Sequence, residues 1–221
     1  MKRLRRTVFF AMSFGFLAAH SMVHAEETPK EPQVPAQFAF VRSLDVDGYV
    51  QRTSDHGLGS QSLRMRLRYR DPDVNAFVGL LTGVTHFNRD LYLGTPTAPD
   101  TSNMMWNWGG DFGIVRGAHL WEVDVMGSVL SARVAPALAI VGEHHIARDW
   151  LLYHRTEGNF FIGDTVIDAD QGVDWMAWKG LGFSAGYRIF ASQHMSRSGP
   201  HVGIRLYFEN PKIPFIFPSL G

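Results

Sequence analysis

The sequence predicts an all-β chain, an antiparallel up-and-down transmembrane β-barrel of eight strands. Three observations predict it. Apolar and polar residues alternate with period two from Phe38 almost to the C-terminus. The polar face of that alternation carries arginines and carboxylates together. After the N-terminal apolar run, no stretch approaches the roughly 18 apolar residues that a spanning helix requires.

Each element follows from its residues. Lys2, Arg3, Arg5 and Arg6 form a cationic start, Val8 to Ala19 an apolar run, and Val23-His24-Ala25 a small-residue exit. That order predicts a secretory signal peptide over 1–25, its apolar core too short for a stop-transfer helix. Residues 26–36 hold Pro29, Pro32 and Pro35 among polar neighbours and read as a loose leader. The barrel is assigned to 37–208. Its clearest strand is Leu63 to Arg70, where four apolar residues alternate with four arginines. On a helix those arginines would spread around the cylinder; on a strand they form one row. Trp121, Val123 and Val125 alternate with Glu122 and Asp124, and Ile204, Leu206 and Phe208 with Arg205, Tyr207 and Glu209. Residues 74–87 alternate more weakly, and 104–117, 135–148, 150–163 and 173–195 also read as strands. Turn-rich breaks fall near 54–60, 71–73, 94–102 and 196–200. Eight to ten segments of about 9–16 residues suit a closed meander.

The orientation of the faces follows from charge. Four arginines in one row repel one another on a water-facing sheet but can be matched inside a lumen by Asp45, Asp47, Glu122, Asp124 and Glu209. Trp106, Trp108, Trp121, Trp150, Trp175 and Trp178 lie near predicted strand ends, where indoles form interfacial girdles. The alternative is a soluble periplasmic barrel or sandwich with a solvated charged face.

Composition narrows the function classes. Loss of Lys2, Arg3, Arg5 and Arg6 with the signal leaves 17 Lys plus Arg against 21 Asp plus Glu, a balance of −4. A net negative chain without a basic block does not suit nucleic acid. The absence of cysteine excludes lipobox acylation, thiol catalysis and Cys-based zinc sites. Only Lys30, Lys179 and Lys212 stand against fourteen arginines in the mature chain, a bias that suits confined, multiply hydrogen-bonded ion pairs.

Gly203 to Phe208 alternates and ends on an aromatic residue, and so resembles the terminal strand of outer-membrane barrels as a group. That resemblance implies an outer-membrane location and contact with lipid and lipopolysaccharide. Residues 209–221 depart from the pattern: Pro211, Pro214 and Pro218 prevent regular pairing, so this apolar tail is expected at the barrel mouth or on the membrane surface.

His194-Met195-Ser196-Arg197-Ser198-Gly199 has the form H-x-S-x-x-G. Residues i and i+2 share a strand face, so an imidazole there can take a proton from the hydroxyl. The segment resembles the catalytic segment of the outer-membrane lipid A 3-O-deacylases. The resemblance implies His194 as base, Ser196 as nucleophile and a carboxylate on the last strand, here Glu209, as its orienting partner. The family's Asn after the serine is Arg197 in this chain, and Glu209 lies far along the strand. The alternative is a polar strand end entering a Ser/Gly turn.

Glu143-His144-His145 places its two histidines on opposite strand faces, so they cannot chelate one ion together. Asp164, Asp168, Asp170 and Asp174 fall in a Gly-bearing stretch without the order of a calcium-binding loop and read as a solvated loop. No metal and no cofactor is expected. The residues lead to a small outer-membrane protein with a packed, ion-paired lumen and an interaction or envelope-structural role. Loops at 94–103 and 164–174 would meet an external or lipopolysaccharide partner, with no protein partner specified. Ester hydrolysis of lipid A is the alternative.

Overall fold

The structure, a computed structural model, describes residues 41–52, 58–71, 73–93, 100–130, 133–193 and 196–209. The stretches expected as signal peptide and leader, His194 and all of the expected tail after Glu209 lie outside the described residues.

Ten strands, not eight, close the barrel. They are β1 (Arg42–Arg52), β2 (Leu58–Asp71), β3 (Ala76–Leu93), β4 (Asp100–Arg116) and β5 (His119–Leu130). The circuit continues with β6 (Arg133–Ala147), β7 (Trp150–Phe161), β8 (Asp164–Trp178), β9 (Leu181–Ala191) and β10 (Ser196–Glu209). Each strand pairs antiparallel with its sequence neighbours, and β1 pairs with β10 through a register that runs from Ser43↔Glu209 to Gln51↔His201. The eight-strand expectation fails between residues 162 and 191. The stretch 164–174 is not a loop: it is most of β8, with Asp164, Asp168, Asp170 and Asp174 all buried. Their partners replace water. Arg188 holds Asp168, His201 meets Asp170, Arg205 holds Asp174, and the Gln193 backbone N–H donates to Asp164. The segment expected as one strand over 173–195 is broken at Lys179-Gly180. Gly163 (φ 84°) and Gly180 (φ 82°) supply the left-handed backbone of the two short turns that flank β8.

The barrel is apolar outside and ionic inside. On β4, Met104, Trp106, Trp108, Phe112 and Ile114 are exposed, whereas Met105, Asn107, Asp111 and Val115 on the alternate positions are buried. From Met104 to Ile114 is about 33 Å along the strand. At the usual tilt of roughly 40° this gives about 25 Å of height, the thickness of the apolar band of a membrane barrel. The tryptophans expected at interfaces are all on the exposed surface. β1 begins and β10 ends on one rim, which also carries the turns at 73–75, 117–118, 148–149 and 179–180. The longest gaps between strands, 53–57 and 94–99, fall on the other rim, and longer loops mark the extracellular side of such barrels. Only a closed ladder satisfies every strand donor and acceptor in lipid. Closure, apolar band and ionic filling place this β-barrel in the outer membrane.

Three interior zones follow. At the far rim Phe87, Met105, Leu130, Ala135, Phe161, Val166 and Phe190 form a buried apolar cap. The Phe87 and Phe190 rings, from β3 and β9, meet across the lumen at 4.7 Å. The middle is charged. At the rim of the chain ends, Phe77, Val115, Leu120 and Leu151 cover one side, and the other opens into a vestibule.

Candidate functional site: an ion-paired lumen and its vestibule

The arginine row of β2 points inward, as its period predicts, and two of its members carry the ion pairing. Arg68 donates to Asp45 of β1 (2.9 Å) and Asp111 of β4 (3.1 Å), and also to Glu122 of β5. Its guanidinium lies over the Phe77 ring at 5.1 Å. Arg66 meets Asp47 and Glu122, each at 3.5 Å. Arg64 donates to the Tyr49 hydroxyl and Arg70 to the Asn75 side-chain oxygen instead of to carboxylates. Small residues make room for these groups. A Cβ on Gly79 would fall 2.1 Å from an Asp111 carboxylate oxygen and 2.5 Å from the Leu67 carbonyl.

Three further arginines complete the network. Arg205 of β10 reaches Glu143 of β6 (2.8 Å) and Asp174 of β8 (3.0 Å). Arg155 of β7 holds Asp124 of β5 and Glu157 (2.6 Å). Arg188 of β9 binds both oxygens of Asp168 (2.6 and 2.5 Å) and reaches across to Ser62 of β2 (2.8 Å). Asn107 of β4 bridges to Glu157 of β7 (2.5 Å) and accepts from Ser128 (2.7 Å). His201 lies 2.7 Å from Asp170 and 3.1 Å from the Tyr153 hydroxyl. Bonds between strands three or four places apart therefore tie opposite walls together. Asp45, Asp47 and Glu122 meet the β2 arginines as the charge pattern predicts, whereas Asp124 pairs with Arg155. The partners of Arg155, Arg188 and Arg205 had no sign in the sequence, because closure of the ring brings them into reach.

The filling leaves little room. The charged middle contains cavities of about 40 Å³ and 10 Å³, the first beside Tyr49, Tyr153 and Arg205, the second beside Ser62, Met105 and Glu157. Such volumes hold a few waters at most. The vestibule has about 720 Å³ and is lined by His145, Arg148, Met176, Trp178, Tyr207 and Glu209, among others. Among the described residues, ten buried carboxylates face six buried guanidiniums. The interior is thus acidic, and oxygens of Asp111, Asp124 and Asp174 are buried without hydrogen-bond partners.

The expected hydrolytic residues are spread out. Ser196 is the exposed first residue of β10 and Glu209 its last, on the opposite rim. The thirteen intervening steps span about 43 Å. By strand parity their side chains also face opposite sides of the wall. His194 lies outside the described residues. Glu143 and His145 share the inner face, where Glu143 is an ion-pair partner of Arg205. His144 faces outward, with its Nδ1 3.0 Å from Nδ1 of His119. Among the described residues no group of three or more ligand side chains is arranged to hold a metal ion.

No family model matches the chain, and no curated protein matches its sequence. Several solved structures are similar to it in shape. A loop-deletion form of OmpT, an outer membrane protein of Vibrio cholerae, is 11% identical with a TM-score of 0.42, over 85% of this chain and 70% of that one. An outer membrane channel from Pseudomonas putida F1 is 11% identical with a TM-score of 0.47, over 82% and 99%. The KdgM porin in complex with disordered oligogalacturonate is 8% identical with a TM-score of 0.42, over 76% and 99%.

Proposed function

We propose that this protein is an occluded outer-membrane barrel with an interaction or envelope-structural role, working through its rims and outer wall and not through a pore. The observation that supports this reading is the wall-to-wall bridging of the lumen, with Arg205 joined to Glu143 from strands four places apart in the ring. The apolar cap at the far rim adds a second barrier, because a dry constriction of phenylalanines gives a hydrated ion no replacement for its water. Lipid meets the exposed apolar band, and lipopolysaccharide is the partner at the far rim. The vestibule has room for a periplasmic group.

The test is electrical. Refolded protein in planar bilayers should insert, as judged by heat-modifiable gel mobility, and yield no stable conductance steps. Reproducible open-channel steps from the unmodified protein would overturn the occluded reading and leave the barrel a pore.

A further inference from the structure

We infer that the outer wall of β4 to β7, beside the rim where the barrel strands begin and end, binds the phosphate of an anionic phospholipid headgroup. The inference rests on the membrane reading above. Its ground is a cluster of donors where a lipid-facing wall should be plain. His119 of β5 and His144 of β6 are cross-strand partners with their Nδ1 atoms 3.0 Å apart. His154 of β7 stacks on His144, with ring centroids 5.4 Å apart and planes 28° from parallel. Trp121 sits edge-on to both, at 4.9 Å from His144 and 5.4 Å from His154. His144 is only 5% exposed although it points away from the lumen. The wall is shaped to seat the cluster: a Cβ on Gly142 would fall 2.1 Å from the His154 ring.

Arg116 adds the charge. It is exposed and pairs across the β4–β5 turn with His119, so its guanidinium starts from the same patch of wall. None of the outward strand positions described on β4 to β8 is a carboxylate. Polar groups on a lipid-facing surface are costly unless something answers them, which makes such a group a candidate binding site. What this patch lacks is a negative charge to answer Arg116, since each neutral imidazole carries one acceptor nitrogen of its own, and no hydrogen bond of His154 is found among the described residues. Exposed Trp150 and Trp175 flank it on β7 and β8, with rings 6.3 Å apart, and indoles mark the headgroup level. A headgroup phosphate supplies a negative charge and several acceptor oxygens at that level, and a guanidinium matches it.

A metal ion fits less well. Among the described residues no set of three or more histidine and carboxylate side chains is arranged to hold one. Lipopolysaccharide phosphate is at the wrong rim, since short turns and chain ends mark the periplasmic leaflet.

Native mass spectrometry of the full mature chain, released from nanodiscs of phosphatidylethanolamine and phosphatidylglycerol, tests the idea. The unmodified protein should retain one phosphatidylglycerol. Arg116→Gln with His154→Gln should lower that retention roughly tenfold, the scale of one lost charge-assisted hydrogen bond. Arg116→Lys, which keeps the charge, and His86→Gln on β3 should retain it. Equal retention in the double variant, or equal retention of phosphatidylcholine when it replaces phosphatidylglycerol, would overturn the site. So would stoichiometric zinc binding that His154→Gln abolishes, which would make the cluster a metal centre. Failure of every form to insert would instead sink the membrane reading beneath it.

Discussion

Arg205 and Glu143 face each other from β10 and β6, with Nη2 2.8 Å from Oε1, and both side chains are nearly sealed from solvent. The pair crosses the lumen at a point where Arg205 also holds Asp174 and approaches Asp45 and Asp47. One guanidinium therefore links four strands.

Breaking that link from one side should be far worse than replacing it. Arg205→Ala leaves Glu143 and Asp174 buried and uncompensated, at a cost of about 3–5 kcal/mol. Arg205→Met combined with Glu143→Leu and Asp174→Leu removes the stranded charges and should recover most of that loss. Urea unfolding followed by tryptophan emission in detergent reads both. Equal destabilisation by the single and the triple variants would remove the ion pairs from the account.

Gly79→Ala should destabilise the barrel by about 1–3 kcal/mol, the usual range for forcing extra atoms into a packed interior. The new methyl meets an Asp111 oxygen and the Leu67 carbonyl at distances no Cβ tolerates. Gly110→Ala on the next strand meets its nearest atom, a carbonyl oxygen, only at 3.4 Å and should be nearly silent. The same urea titration separates the two.

An opened lumen should prefer cations. Phe87→Ala with Phe190→Ala removes the two rings that meet across the cap, and Arg205→Ser removes the guanidinium below them. The excess of buried carboxylate over guanidinium then lines the passage. Reversal potentials in a potassium chloride gradient should show cation selectivity in the triple variant. An anion-selective or unselective current would contradict the charge balance described for the interior.

Ser196→Ala should leave lipid A unchanged. Ser196 and Glu209 stand at opposite rims, so they cannot share a proton relay within one barrel. Mass spectrometry of lipid A from cells with the native and altered proteins checks this. Loss of a hydroxyacyl chain that depends on Ser196 would restore the hydrolase reading.

Much of the barrel was legible in local pattern. The Leu63–Arg70 alternation gives both the strand and its facing, because period two is a property of one strand. The opposite orientation of His144 and His145 follows from the same rule. The strand count was not legible at β8, where Asp168, Asp170 and Asp174 imitate a solvated loop. Their solvating groups, Arg188, His201 and Arg205, arrive from β9 and β10, and nothing near Asp168 in sequence announces them. Arg155 and Glu157 were missed for a related reason: they look like an ordinary polar pair until Asn107 and Asp124 come from other strands. The outer histidine cluster was hidden because it is assembled from three strands, with His119 and His154 each unremarkable in its own segment.

The phenylalanine cap lies at one end only, and the vestibule lies at the other. On the occluded reading proposed above, the molecule is a cup with its opening toward the cell and its base toward the environment. Whatever enters such a cup from the periplasm must leave the same way, and a solute arriving from outside finds a closed base. A bacterium could carry many copies without making its envelope leakier to small toxic molecules, so abundance would be limited by membrane area and not by permeability.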